Sequence, residues 1–455
     1  MFIFGPNSAH MTEAKSETTY KISVLTGIAI VVANMVGTGV FTSLGFQVLG
    51  IQSGFALLML WVVGGVIALC GALSYGELAA AMPRSGGEYH YLSQIYHPAL
   101  GFLSGWVSAT VGFAAPTALA AMALGKYAQS VWPSVSPTAL SVSVVVALTA
   151  VHALSRQAGS RLQVVITSVK VLVLVAFISA GWAAATPQPL AFLPHTSSDW
   201  KQLLSPAFAV SLVYVSYAYS GWNAAVYLTG EVREPQRNLP RILLIGTAIV
   251  LGLYVGLNFI FLYSTPISKL AGQVEVGFVA ATELFGIGLG RLMGGIIAVL
   301  LVSTVSSMVF AGPRIVQVMG EDLPALRWLG HTSKNEIPVR AIIFQAALTL
   351  LFIVSATFEA VLLYAGFVLS LFTFLTVLGL FVLRWRQPDL PRPYRAWGYP
   401  ITPLLFLGLN GWTLWFIAQD KPTETRYGLL TLTIGLLVYF VGQVLTRRVA
   451  LARRS

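Results

Sequence analysis

The sequence predicts an all-α polytopic membrane protein with twelve transmembrane helices. Three observations carry that expectation. Only 9% of the 455 residues are charged and 56% are hydrophobic, with a mean hydropathy of +0.78; a soluble domain carries about 25% charge. Apolar runs of about 20 residues, enough helix to cross ~30 Å of hydrocarbon, recur along the chain. Lys and Arg fall unevenly on the segments between them. The composition excludes a soluble enzyme and a disordered chain, because 27 bases and 16 acids cannot solvate a soluble surface of this length. Cys70 is the only cysteine, so a disulfide scaffold is excluded too.

In chain order the runs are 22–48, 54–82, 99–125, 138–154, 162–184, 203–229, 240–263, 289–312, 338–356, 359–383, 400–418 and 426–446. Helix is expected in each, because a lone helix satisfies its own backbone in lipid. The pairs Gly101/Gly105 and Gly252/Gly256 have the spacing that lets helices approach closely. No cleavable leader precedes the first run: residues 1–21 are mostly polar, Met1–Phe4 is too short for an apolar leader core, and Met11 is an alternative start. With the N-terminus placed in the cytoplasm, 20 bases fall on cytoplasmic segments, 6 on outer segments and one, Lys170, inside a span. That bias puts both termini inside and supports an even number of spans. The expected location is the plasma membrane, the inner membrane if the source is bacterial. The net charge of +11 then reflects basic cytoplasmic loops facing a lipid bilayer, not a nucleic-acid partner.

Two spans are interrupted. Span 1 contains Asn34-Met-Val-Gly37-Thr38-Gly39-Val-Phe41, and span 6 contains Tyr217-Ala-Tyr-Ser220-Gly221-Trp-Asn223, each about 15 residues in. Glycine costs ~1 kcal/mol in a helix interior and permits unwound backbone. Breaks at matching places five spans apart suggest two five-span repeats of opposite topology, with a binding site where the broken helices meet. The division is a tail (1–21), a first repeat (22–184), a second repeat (203–383), two further spans (400–446) and a basic tail (447–455). A half-helix starting near Gly39 aims free N–H groups and a positive dipole end at a carboxylate. Carbonyls near Met35, Tyr217, Ala218 and Ser220 suit an ammonium group. Backbone alone thus suffices for a zwitterionic α-amino acid.

Four motifs give this chain a family resemblance. They are Gly37–Phe41, the stretch from Tyr75 and Glu77 through Pro83-Arg-Ser-Gly-Gly-Glu-Tyr89, the run Gly230-Glu-Val-Arg-Glu-Pro-Gln-Arg-Asn-Leu-Pro240, and Arg314 with Gly320-Glu-Asp-Leu-Pro324. Together they resemble the amino acid–polyamine–organocation (APC) superfamily, and within it the L-type amino-acid transporters and their bacterial relatives. The resemblance implies the LeuT-type fold, a 5+5 inverted repeat with helices 1 and 6 discontinuous plus two C-terminal helices, and alternating access for amino acids. It implies N–H donation from Thr38 and Gly39 to the substrate carboxylate and carbonyls of Met35, Tyr217 and Ser220 around its ammonium group. Tyr217 stands where the family has an aromatic gate, usually Phe, and Ser220 where L-type members have Gly. The substrate-binding set is Met35, Gly37, Thr38, Gly39, Tyr217, Ala218, Ser220 and Gly221.

Lys170 has eight residues of its span on one side and fourteen on the other. A cation there costs ~2.5–3.5 kcal/mol on insertion scales and suggests function; snorkelling, the alternative, needs a nearby helix end. In sodium-independent relatives a lysine here looks like a stand-in for a sodium ion, tying span 1 carbonyls near Gly37 to span 8 hydroxyls, with Ser303, Ser306 and Ser307 as candidates. It is also a candidate proton carrier.

No metal site, cofactor motif or catalytic residue is expected. His90 and His97 lack a third ligand, and Gly37-Thr-Gly39 is no dinucleotide fingerprint, since Thr42 takes the final glycine position. Glu77 is expected to support a gate or loop, His152 to sit at an interface, and Trp106, Trp182, Trp412 and Trp415 to be interface or packing aromatics. The expected function is sodium-independent secondary transport of neutral L-amino acids, by exchange or proton coupling, since no acid lies mid-membrane and Glu283 and Glu359 fall at the outer boundary. A cationic amino-acid or polyamine exchanger is the alternative within the fold; a channel or membrane enzyme lacks its filter segments or polar cluster here. Eukaryotic L-type members bond a heavy subunit through a cysteine between spans 3 and 4. Residues 126–137 contain none, so no disulfide-linked heavy subunit is expected.

Overall fold

Hydrocarbon leaves a backbone group no partner but another backbone group, and the chain answers with helix throughout. The computed structural model describes residues 22–84, 86–154, 160–322, 326–333 and 337–452; the N-terminal tail 1–21, Ser85 and the end of the basic C-terminal tail lie outside the described residues. Among the described residues there are seventeen α-helices, no strand, and one isolated bridge between Ile22 and Val232. The helices are α1 (Val24–Met35), α2 (Gly39–Gly50), α3 (Gly54–Ala81), α4 (Gly87–Ile95), α5 (Pro98–Val107), α6 (Ala114–Val131), α7 (Pro137–Leu154), α8 (Ser160–Ala184) and α9 (Ser197–Leu203). They continue as α10 (Pro206–Tyr219), α11 (Pro235–Ser264), α12 (Ile267–Leu270), α13 (Val276–Asp322), α14 (Val339–Ser355), α15 (Phe358–Arg386), α16 (Ile401–Asp420) and α17 (Pro422–Ala452). A π-helical turn, Ser108–Gly112, joins α5 to α6, and a 3-10 segment, Ala224–Glu231, follows α10.

Helix occupies each of the twelve apolar runs, broken in the first and the sixth. Among the described residues eight helices are long and apolar enough to cross a membrane, up to ten if each bent pair counts as one span, and Ser168–Ala184 and Val339–Ser355 are shorter apolar helices. This is a polytopic membrane protein. Its lipid-facing sides carry exposed Leu172, Val299, Leu351, Leu437 and Phe440, a surface that water would not tolerate. Trp182 and Trp415 are exposed among them, whereas the Trp106 indole donates to the Thr431 carbonyl (3.0 Å) and Trp412 packs tilted against Phe208 and edge-on to Phe416. Two boundaries shift from the expected ones. Span 8 is the later part of α13, which starts at Val276 and bends at Gly286 (φ +83°). Span 3 holds the π-helical turn and extends to Val131.

Packing follows the order of the spans. The two most extensive helix interfaces are α3 with α11 and α6 with α13, which pair span 2 with 7 and span 3 with 8. The broken spans 1 and 6 meet through α2 and α10. Each of these pairs is five spans apart. Glycines make the close approaches possible, though not all those the spacing suggested. A Cβ on Gly101 would run into Ser93 Oγ and lie 2.6 Å from the Tyr89 carbonyl oxygen, so this glycine seats α5 on α4. Gly252 has nothing within 4 Å, and a Cβ on Gly256 would touch Ile178 at an ordinary 3.5 Å; the expected contact at that pair is absent.

That contrast is measurable by thermal unfolding in detergent. Gly101→Ala should lower the melting temperature, because Ser93 and the chain at Tyr89 must move. Gly252→Ala should leave it unchanged or raise it, with up to ~1 kcal/mol from helix propensity.

Candidate functional site

Two helix interruptions face each other at the centre of the bundle. The first runs from Val36 to Thr38: α1 ends at buried Met35, Val36 leaves helical geometry (ψ 86°), and α2 resumes at Gly39 after a 41° bend. Thr38 provides no side-chain cap; the Phe41 N–H turns back to the Thr38 carbonyl (3.1 Å), which leaves the Gly39 and Val40 N–H groups to a partner outside the helix. The second interruption follows Tyr219. The Ser220 N–H still reaches the Tyr217 carbonyl (3.0 Å), then Ser220 extends (ψ 147°) and Gly221 adopts φ +96°, which an L side chain resists.

The two glycine-bearing stretches touch. A Cβ on Gly39 would lie 2.5 Å from Ala218 Cα, and one on Gly221 would lie 3.0 Å from the Asn34 carbonyl. Each break thus abuts the other's chain with no room for a side chain. Gly37 differs, since a Cβ there would meet only the Met35 oxygen at 3.9 Å. Met35, Gly37, Thr38, Gly39, Tyr217, Ala218, Ser220 and Gly221 therefore gather in one place. Tyr217 is buried there, and Ser220 is half-buried.

One residue that the sequence reading missed joins the two breaks. The Tyr254 hydroxyl, fully buried on α11, donates to the Met35 carbonyl (2.6 Å) and lies 3.2 Å from the Ala218 carbonyl. Its ring packs on Tyr219 and edge-on to Trp61, with centroids 5.0 and 5.7 Å away. Two of the carbonyls expected to receive an ammonium group already share this hydroxyl, each keeping a second lone pair. A tyrosine in the middle of an apolar run, whose hydroxyl needs a partner in hydrocarbon, was the available signal. Tyr219, which had no assigned role, ties α10 to α3 through the Trp61 carbonyl (3.0 Å).

Lys170 is buried on α8, and its ammonium donates to Thr304 Oγ1 on α13 (2.7 Å). The expected serines have other partners. Ser307 donates to the Ser303 carbonyl (2.6 Å), and Ser306 pairs with His152 Nε2 (2.9 Å). His152, two residues from the end of α7, is buried against α13 by that bond. Among the described residues the lysine makes no hydrogen bond to span 1; α8 packs on α11 and α13.

The residues set aside hold the periphery together. Glu77 is fully buried and takes two bonds from Arg384 (2.8 and 2.7 Å), one from the Ala396 N–H (2.6 Å), and an ion pair with Arg392 (3.5 Å). It pins the loop between α15 and α16 to α3. His97 caps α5 by accepting from the Ala99 N–H (3.1 Å). Glu359 accepts from Tyr214 (2.6 Å) near Lys421, and Glu283 pairs with Lys269 (2.8 Å). A cavity of about 420 Å³ opens near the ends of α3 and α15, lined by Arg84, His90, Gln94 and Gln387 among others. It touches none of the break residues, so it is not the chemistry of the breaks.

A family model described as "Amino acid permease" matches residues 22–440. Similar proteins include the "Large neutral amino acids transporter small subunit 2" of Mus musculus, 28% identical over 433 residues, which are 93% of this chain and 81% of that protein. The "b(0,+)-type amino acid transporter 1" of Mus musculus is 27% identical over 452 residues, 95% of this chain and 90% of that protein. The "Asc-type amino acid transporter 1" of the same species is 27% identical over 439 residues, 93% and 81% of the respective chains.

The tyrosine bridge has a stability consequence. Tyr254→Phe leaves two buried carbonyls one donor short, at a cost of about 1–3 kcal/mol. It should lower the melting temperature in detergent more than Tyr219→Phe, because the Trp61 carbonyl sits mid-helix and keeps its helical partner.

Proposed function

The chain belongs to the amino acid permease family of the APC superfamily, and on that premise we propose that it is a sodium-independent secondary transporter of neutral L-amino acids, working by alternating access. The observation that carries this reading is the pair of abutting breaks, with Gly39 against Ala218 and Gly221 against Asn34. Uncapped N–H groups at the start of α2 suit the α-carboxylate, with the helix dipole adding a favourable field. Carbonyls at the end of α10 suit the α-ammonium, and Tyr217 closes over the substrate. Both charges of the zwitterion are then met by backbone, and the side chain is left to an apolar pocket.

The arrangement favours an uncharged side chain. Glu359 and Glu283 are engaged by Tyr214, Lys421 and Lys269, so neither is free for a cationic substrate. In this reading the chain has twelve spans in the LeuT-type 5+5 arrangement with both termini cytoplasmic. The pairing of spans five apart supports it. The Lys170 ammonium takes a sodium ion's place, with Thr304 as its hydroxyl partner. The transporter acts without a disulfide-linked heavy subunit, since the only cysteine, Cys70, is buried in α3. It is a carrier and not an enzyme, as the names of its relatives suggest.

The test is a thermal-shift screen of the twenty amino acids on purified protein, followed by counterflow in proteoliposomes with the amino acids that bind. Neutral amino acids should stabilise and exchange; stabilisation by lysine or arginine alone would overturn the substrate class. Within that assay, Gly39→Ala should cut exchange at least tenfold, because the added methyl displaces Ala218. Gly37→Ala, which meets open space, should keep most of it. Equal losses would place the carboxylate elsewhere.

Sodium independence has its own readout. Replacing sodium by choline should leave wild-type counterflow unchanged. Lys170→Ala should nearly eliminate it, and Thr304→Val should reduce it by a smaller factor. A fully active Lys170→Ala protein would remove the ion-substitute role.

A further inference from the structure

Two buried carboxylates, Glu77 and Glu88, lie on the face of the bundle that carries the basic loops, and they are treated differently. Glu77 has two arginines and a backbone N–H. Glu88 has no ion pair among the described residues, although it is 7% exposed. Gly86 (φ +124°) and Gly87 (φ +52°) turn the chain sharply into α4, and the Tyr227 ring fills the space beside Gly87. That turn sends Glu88 inward. Its Oε1 accepts from the Tyr75 hydroxyl on α3 (2.6 Å) and from Asn223 Nδ2 (3.0 Å), two residues beyond Gly221. Tyr75 is in turn edge-on to Trp222, with centroids 4.7 Å apart. The titratable groups facing the carboxyl are Tyr75 from α3, Tyr91 from α4 itself and Tyr227 from the 3-10 segment. All three are neutral near pH 7.

A carboxylate buried among neutral donors is costly when ionised and comfortable when protonated. Burial pushes the Glu88 carboxyl up to about 7, against the opposing pull of the bonds from Tyr75 and Asn223. Both donors reach the same oxygen, Oε1, which leaves Oε2 to carry a proton. Asn223 belongs to the chain that leaves the second helix break, so the environment of the carboxyl depends on where that chain lies.

We propose that Glu88 is a proton-binding site that latches the segment after the second helix break to α3 and α4, keeping its proton while the segment is packed and releasing it when the segment moves away and water reaches the carboxyl. The sign follows from linkage. The packed state holds the proton more tightly than a hydrated carboxyl does, so acid favours packing. That advantage is complete below the ordinary carboxylate range near 4.5 and is lost as pH rises through about 7. Opening becomes about tenfold more favourable per pH unit inside that window. The inference as a structural latch stands by itself. Its consequence for transport, faster exchange at higher pH on the basic face, rests on the transporter reading.

Hydrogen exchange of residues 220–231 tests the latch in the full chain without any substrate. Protection is measured from pH 5.5 to 8 in detergent and corrected for intrinsic exchange rates. In the wild type it should fall roughly tenfold or more across that range. Glu88→Gln keeps an acceptor for Tyr75 and Asn223 but cannot titrate, so its protection should be flat. Tyr75→Phe, which removes one bond to the ionised form, should move the wild-type midpoint to higher pH. A flat wild-type profile, or an unchanged pH profile in Glu88→Gln, overturns the proposal. If Glu88→Gln fails to fold, the Tyr75→Phe midpoint decides, and an unshifted midpoint overturns it as well. Counterflow at the same pH values is the second arm: its absence in wild type, with the protection profile intact, would count against the transporter reading and not against the latch.

Discussion

A peptide group without a hydrogen-bond partner in hydrocarbon costs several kcal/mol, and two of this chain's helix breaks abut each other. Everything at the centre of the bundle is arranged around that debt. The Tyr254 hydroxyl stands between the two terminal carbonyls of Met35 and Ala218. Its ring is held by Tyr219 and Trp61, and Tyr219 is anchored to the Trp61 carbonyl. Helices α3, α10 and α11 supply these aromatics, Trp61, Tyr219 and Tyr254 in turn. The groups left over, the Gly39 and Val40 N–H groups opening α2, are those to which the proposed reading assigns the substrate carboxylate.

Much of this was legible in the sequence, and the reason is that hydrocarbon enforces simple rules. Length and polarity alone place the apolar runs, because no other element satisfies itself in lipid. The breaks show as Gly37-Thr-Gly39 and Ser220-Gly221, where glycine is needed for a close approach at Gly39 and for a positive φ at Gly221. Partner identity was harder. Lys170 was expected to meet serines of span 8, yet it meets Thr304, one residue from Ser303. Successive helical residues point about 100° apart, so the partner depends on the rotation of α13 about its axis, which no pattern in α13 itself reveals. The partner of His152 was hidden for the same reason: Ser306 lies more than 150 residues away in the chain.

The glycine pairs teach a related lesson. Gly101/Gly105 and Gly252/Gly256 have identical spacing, but only the first faces another backbone closely. Spacing identifies a smooth strip on a helix; it does not say whether a helix or lipid lies against it. Polar residues obey a similar division. Glu77 and Glu88 are both buried acids eleven positions apart, and the sequence offered no means to tell that Arg384 at the end of α15 and Arg392 in the loop after it would meet one, and Tyr75 and Asn223 the other. Tertiary neighbours from distant segments decide the chemistry of each.

The contact between Gly39 and Ala218 has a consequence for how the protein can change over generations. The two residues occupy one shared volume contributed by different halves of the chain. The nearest atom to a methyl group gained at position 39 is the Ala218 Cα, 2.5 Å away, so giving up the Ala218 side chain does not make room for it. The main chain of one half of the protein thus caps the size of a side chain that the other half can carry at this point.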